Sequence, residues 1–215
     1  ASGTVAETNA RREEGGLPAL AVNEKLNKSA QIKVDDMFHG QYFAHESLVG
    51  EGPGDLANVA GYEYLMVGEN LALGNYENDA ILVDAWMNSP GHRENIMHAK
   101  YTEIGVAVKR GTYEGRIVWM AVQEFGMPAS LCSSPSESLA AQIDNNQNAL
   151  ADLEGQLSTQ RAQLNSTRPK RGVEYNEKGK EYNELVNRYN ALIEEMKVII
   201  SEYNGQADAY NACAQ

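Results

Sequence analysis

From Leu139 to Leu164 the chain repeats at alternating steps of four and three: Leu139, Ile143, Asn146, Leu150, Leu153, Leu157, Gln160, Leu164. Such steps place all eight residues on one stripe of a helix, and an apolar stripe of that kind leaves water by packing on a second helix. A second seam supplies the partner: Tyr175, Lys178, Tyr182, Leu185, Tyr189, Leu192, Met196, Ile199, Tyr203, Gln206, Tyr210, Cys213. Between the two lies NSTRPKRG, where Pro169 and Gly172 interrupt helical backbone. Two seams about one break predict an antiparallel coiled-coil hairpin over 133–213, with arms of about 30 residues and roughly 45 Å. Asn146 and Gln160 are the polar exceptions, residues that fix register at some cost in stability.

Cys132 extends the first seam backward through Ser136, Cys213 closes the second, and their midpoint falls at the Pro-Gly break. An antiparallel hairpin therefore brings the two sulfurs together at its base. The expected bridge is Cys132–Cys213; the alternative is two free thiols, one of them packed in a seam. A structural disulfide favours an oxidising, extracytoplasmic compartment. Two cysteines so far apart cannot form a CxxC redox or zinc motif.

Glycines are frequent before about Pro128 and thin out after Ser133, so 5–128 reads as a separate domain. With 42% hydrophobic and 22% charged residues the 215-residue chain has the means to bury a core. A formal charge of -12 repels nucleic acid and anionic lipid, and RPKR at 168–171, the densest basic patch, reads as a turn. No apolar run approaches the roughly 20 residues a membrane helix needs, so no transmembrane segment is expected. The small, polar start ASGTVAETNA suits a mature chain after signal cleavage or a trimmed one.

In the N-terminal domain VNEKLNKSAQIKVDDMF predicts a helix whose inner row is Leu26, Ala30, Val34 and Phe38. NDAILVDAWMNS predicts a second, capped by Asn78 or Asp79 and ending before Pro90. EIGVAV and RIVWMAVQEFG read as strands joined by KRGTYEG. Helices first and strands last imply an α+β layered domain. Trp86, Trp119 and Phe125 are assigned to the core, and Gly68, Gly91 and Gly105 to tight backbone positions.

Several short motifs then occur in series: TNARREEGGLPALAVNEKLNKSAQIKVDDM, YFAHES, GENLA, AWMNSPGHRENIM, YTEIGVAV and VQEFG. In this order they resemble the bacterial branch of the CAP superfamily (SCP domains), which includes cysteine-rich secretory proteins, antigen 5 and plant pathogenesis-related proteins. The resemblance runs from about Val5 to Met127 and does not reach the hairpin. It implies an α-β-α sandwich, a secreted or cell-surface protein, and a central cleft bearing two histidines and acidic groups. Matched motif by motif, the cleft residues are His45 of YFAHES, Glu69 of GENLA and His92 of SPGHRENIM. Eukaryotic members carry a second glutamate three residues after the helix tryptophan; counted from Trp86, that position is Ser89 here.

Two neutral imidazoles suit a borderline divalent cation, zinc above all, and a nearby carboxylate completes the shell or orients a bound water. His45 and His92 are accordingly the expected metal ligands, and His45, Glu69, Ser89 and His92 the expected ligand-binding set. The alternative is that the histidines hydrogen-bond with Glu69 in a polar cleft and hold no metal. Three functions compete. One is a non-enzymatic module that binds a lipid, peptide or cell-surface ligand, with the hairpin as spacer or docking arm. The second is a metal-dependent hydrolase or protease with His45, His92 and Glu69 catalytic, Glu69 being the general base. In the third, the hairpin assembles with a protein partner and the CAP half is carried along. HExxH is absent, so Glu94 reads as a solvent-facing or turn-bonding residue; no GxSxG elbow accompanies Ser47 or Ser89, so serine hydrolysis is not expected; and His39 and His98 read as surface or loop residues.

Overall fold

The computed structural model describes residues 1–214. They divide into one unit from Ala1 to Leu131 and a second that begins at Cys132. In the first unit the elements run α1 (Ser2–Glu14), β1 (Ala21–Val22), α2 (Glu24–Gly40), α3 (Pro53–Val59), β2 (Tyr64–Gly74), α4 (Asp79–Met87), α5 (Pro90–Ile96), β3 (Glu103–Tyr113) and β4 (Arg116–Pro128). The strands form a sheet of order β1-β3-β4-β2, parallel only between β1 and β3.

Each face of the sheet is covered by helices, giving the α-β-α sandwich. Ala30, Val34 and Met37 of α2 pack on Leu71, Ala107, Met120 and Val122. On the other face Leu82, Val83 and Trp86 of α4 and Ile96 of α5 pack on Ala72, Ile104, Ala121 and Phe125, with Val5 of α1 alongside. Because both faces are covered, the inner part of β4 is buried at every residue from Met120 to Met127, the pattern of a strand with no solvent side. Polar residues in that run are therefore interior groups that need partners.

The helices expected over 22–38 and 78–89 form as 24–40 and 79–87, each capped by an asparagine: Asn23 Oδ1 accepts from Lys25 N and Asn78 Oδ1 from Ile81 N. A strict four-residue row drifts around a helix of 3.6 residues per turn. The deep row of α2 is accordingly Leu26, Ala30, Lys33, Val34 and Met37, and Phe38 is only half-buried. The strand hairpin turns on Glu114 and Gly115 alone, at φ 47° and 75°, so β3 continues through most of the segment read as a loop. Trp119 is 38% exposed, since the outer end of β4 runs past the helical cover, and it leaves the expected core.

The glycine expectations divide. A Cβ at Gly105 would lie 2.1 Å from the backbone of Leu26, and one at Gly68 2.3 Å from the Tyr101 hydroxyl. Gly91 has open space around it and an ordinary φ, so no tight approach requires it.

In the second unit α6 (Glu137–Ser166) and α7 (Val173–Ala214) pack against each other. Ser136 Oγ caps α6 by accepting from Leu139 N at 3.3 Å. Ser136 N donates to Gln206 Oε1, Glu154 accepts from the Tyr189 hydroxyl, and Thr167 Oγ1 accepts from Lys178 Nζ. As the first residue of each pair advances the second retreats, which makes the helices antiparallel. Cys132 and Cys213 are joined, with Cα atoms 5.8 Å apart. Leu153, Leu185, Met196 and Ile199 are the buried seam residues, while Asn146 Nδ2 and Gln160 Oε1 lie buried with no partner. α6 has the expected 30 residues but α7 has 42. No breaker stronger than Gly179 or Gly205 follows Gly172, and α7 spans about 63 Å.

Candidate functional site

The segment after α2 turns back at Gln41, which takes a left-handed φ of 51°. Its side chain makes the turn tenable, donating to Phe38 O at 2.7 Å and Thr112 O at 3.0 Å and accepting from Glu114 N. Ser47 ties the far end by accepting from Val49 N and Glu51 N. Between the ties stands His45, whose carbonyl accepts from Lys33 Nζ at 2.5 Å. Lys33 is fully buried, and its ammonium also lies over the Tyr42 ring, 5.3 Å from the centroid. Burial and the neighbouring Asp36, to which the Tyr42 hydroxyl donates, push the Tyr42 phenol well up.

His45 Nδ1 lies 2.7 Å from Glu69 Oε1. Glu69 comes from β2 and its side chain is 1% exposed, whereas that of His45 is 56% exposed. The bond to Glu69 raises the His45 pKa against the opposing effect of burial and of the Lys33 charge. His92 arrives from the other side. The Ser-Pro-Gly segment opens α5, with Pro90 at its first position and Ser89 in the capping place. His92 Nδ1 is buried without a partner. Desolvation, and then the charge on His45, lower its pKa. The histidine after Ser-Pro-Gly is thus aimed inward by the helix start, close enough to His45 for their charges to interact.

Ser89 makes no side-chain cap hydrogen bond, and its carbonyl accepts from Arg93 N. Glu94 and His39 are exposed. His98 packs on Tyr101, the rings tilted by 39° with centroids 4.7 Å apart.

Other motif residues hold the floor. Asn70 Nδ2 donates to His92 O at 3.0 Å and to Gln123 Oε1 at 3.1 Å; Asn95 Nδ2 donates to Asn70 Oδ1 at 2.9 Å and to Glu69 O at 3.1 Å. Gln123 Nε2 reaches the Thr8 hydroxyl at 2.7 Å, so α1, β2, β4 and α5 are tied under the two histidines. Sequence reasoning singled out none of these three amides. It also passed over Lys33 and Glu124, each fully buried. The signal was there in both cases: a lysine at a core position of an amphipathic helix and a glutamate inside an apolar strand, groups that are seldom fully buried unless paired.

A family model described as the cysteine-rich secretory protein family, CAP, matches residues 5–125. The chain belongs to the CAP family. Two curated Bacillus subtilis proteins match parts of it. The uncharacterized protein YkwD is 41% identical over 112 residues, 52% of this chain and 42% of its own length. The uncharacterized membrane protein YlbC is 32% identical over 106 residues, 49% of this chain and 30% of its own. The chain therefore spans less than half the length of either relative. Among solved structures, an extracellular protein containing an SCP domain from Bacillus anthracis has 28% identity and a TM-score of 0.48, covering 55% of this chain and 37% of its own. An outer surface protein from Borrelia burgdorferi has 24% identity and a TM-score of 0.49, covering 58% and 89%.

Among the described residues no three His, Cys, Asp or Glu side chains converge as a metal-holding group. Two imidazoles do meet the need in part: His92 keeps a buried, unpartnered Nδ1, and His45 gives its Nδ1 to Glu69, leaving Nε2 as the free nitrogen. A carboxylate on the far nitrogen of a histidine is the usual support for a metal-bound imidazole. The set suits an open site whose remaining positions a ligand or water would fill.

Proposed function

We propose that the CAP domain is an extracytoplasmic binding module whose His45, Glu69 and His92 cleft retains a lipid, peptide or cell-surface ligand, with a divalent metal, zinc, held between His45 and His92. The observation that supports this reading is the pairing of a carboxylate-oriented His45 with a His92 whose Nδ1 is buried and unpartnered. When bound, the metal would act as a Lewis acid toward an oxygen of the ligand. The chain's own part is to hold His45 in one orientation through Glu69, to keep His92 uncharged through burial, and to pin the loop through Lys33. The Cys132–Cys213 bridge favours an oxidising compartment, and among the described residues no helix is long and apolar enough to cross a membrane. The helical hairpin is read as a spacer or docking arm, with α7 long enough to set a distance of about 60 Å.

Retention ranks ahead of hydrolysis because Glu69, the general base of a hydrolase reading, is almost wholly buried and already bonded to His45. Calorimetric titration of the whole protein with zinc tests the reading: one ion bound by the wild type, and at least a tenfold weaker fit in both His45→Ala and His92→Ala. Equal zinc affinity in His92→Ala would remove the metal from the proposal. Turnover of a peptide or ester library that is abolished both by His92→Ala and by chelation would replace binding with hydrolysis.

A further inference from the structure

Glu124 of β4 stands across from Glu69 of β2 in the strand register. Side chains so paired share one face of the sheet with Cβ atoms about 5 Å apart. Glu124 is fully buried and the Glu69 side chain is 1% exposed. Two carboxylates this close and this dry cannot both stay ionised.

The surroundings of Glu124 leave few ways to resolve this. On its other side β3 presents Gly105, which has no side chain. From α2 come Ser29, with Oγ 3.5 Å from Glu124 Oε1, and the ammonium of Lys33. Burial, then the charge of Glu69, push the Glu124 carboxyl well above its ordinary value, with Lys33 opposing. Ser29 faces Glu124 Oε1 and His45 takes Glu69 Oε1, so each group has Oε2 left, and both Oε2 atoms are buried with no other donor. Once one proton lies between them, the contact becomes a short, charge-assisted hydrogen bond.

We propose that Glu124 is a positioning residue of the cleft: its carboxylic O–H donates to Glu69 Oε2, which commits Glu69 Oε1 to His45 Nδ1 and so fixes the neutral imidazole as the Nδ1–H tautomer with Nε2 basic. Glu124 itself, beneath the sheet surface, touches no ligand. The inference concerns the cleft reading but not its metal, and its test is run with chelator present, so that failure of the zinc assignment leaves it intact.

The test is nuclear magnetic resonance on the full chain, with carbon-labelled glutamate read at pH 7 and nitrogen-labelled histidine read above the raised His45 titration midpoint, where the imidazole is neutral. Three results are expected. The Glu124 carboxyl carbon, assigned by its loss in Glu124→Gln, has the shift of a neutral acid. His45 is mainly the Nδ1–H tautomer in the wild type and in Glu124→Gln, whose amide still donates. In Glu124→Leu that population falls at least threefold while His98 is unchanged. A Glu124 carbon with the shift of a carboxylate at pH 7 overturns the proposal, as does a folded Glu124→Leu that keeps the His45 tautomer or a Glu124→Gln that loses it. Should Glu124→Leu fail to fold, the wild-type carbon shift and the Glu124→Gln tautomer decide by themselves.

Discussion

His45 Nδ1 and Glu69 Oε1 meet at 2.7 Å across 24 residues of chain, one on a tied surface loop and the other in a strand that the loop overlies. The meeting separates the two cleft histidines electrically. Glu69 favours the charged form of His45, while burial and His45 disfavour the charged form of His92. For stability the signs are opposite. The His45 contribution is complete below the ordinary histidine value of 6.5 and is lost as pH rises through the raised one; His92 withdraws stability as pH falls below 6.5 toward its lowered one. Proton-shift titration of the metal-free protein is expected to show His45 titrating above 6.5 and His92 below it. Replacing Glu69 by Gln should bring the His45 midpoint down, and an unmoved midpoint would show that the contact carries no charge.

Glu124 predicts a pH dependence of the opposite kind to an ordinary salt-bridged acid. Its raised carboxyl keeps in the native state a proton that the unfolded chain releases above about 4.5, so folding loses stability as pH climbs from there to the raised value. The slope for one such group is about 1.4 kcal/mol per pH unit. Glu124→Gln cannot titrate and removes that slope. Urea unfolding at pH 5 and pH 7.5 should find the variant gaining stability on the wild type as pH rises. A constant difference between the two pH values would mean that Glu124 is ionised in the fold.

How much of this could be read from the chain before folding depends on where each signal lies. The hairpin was legible because its evidence is local and repeated: a seam residue every three or four positions, one Pro-Gly break, and a cysteine at each end. His45, Glu69 and His92 were legible through their motifs, since nothing in the spacing of three residues so far apart brings them together. Lys33, Asn70, Asn95, Gln123 and Glu124 were not singled out because each is an ordinary polar residue until two elements trap it. Gln123 shows the difficulty, as its partner is the hydroxyl of Thr8 in α1, a helix that sequence reading did not assign. α5 was missed for a simpler reason: Ser-Pro-Gly signals a turn and a helix start equally well, and a seven-residue helix is too short to show periodicity.

Gly105 shows how closely α2 lies on the sheet. A methyl group there would fall 2.1 Å from Leu26 C and 2.3 Å from Asn27 N, main-chain atoms that cannot rotate aside. Asn27 also holds this crossing through Oδ1, which accepts from Val106 N at 2.9 Å. Gly105→Ala should therefore displace the start of α2, at a cost on the order of 3 kcal/mol, the upper end for overpacking. Gly91→Ala, in open space, should cost less than about 1 kcal/mol and serves as the control. Chemical denaturation of both variants checks the ranking, and near-equal midpoints would refute the close crossing.

The bridge between Cys132 and Cys213 joins residues 81 apart, and the segment it encloses contains both helices of the second unit. Closing a loop of that size restricts the unfolded hairpin by about 4.5 kcal/mol in the chain-entropy picture. The hairpin depends on that restriction because its own seam is modest. Few of its residues are fully buried, several seam positions are tyrosines with half-exposed rings, and Asn146 and Gln160 place unpartnered polar atoms inside it. Cys132→Ser with Cys213→Ser should therefore lower the hairpin's unfolding transition by several kcal/mol while the CAP domain keeps its own midpoint, since each unit packs its own core. The part of the helical circular dichroism that melts apart from the tryptophan signal follows the first, since α1 to α5 also contribute to it, and the fluorescence of Trp86 and Trp119, both in the CAP domain, follows the second. An unchanged helical transition in the double variant would place the hairpin's stability in its seam, and a parallel loss of the tryptophan transition would show that the two units unfold together.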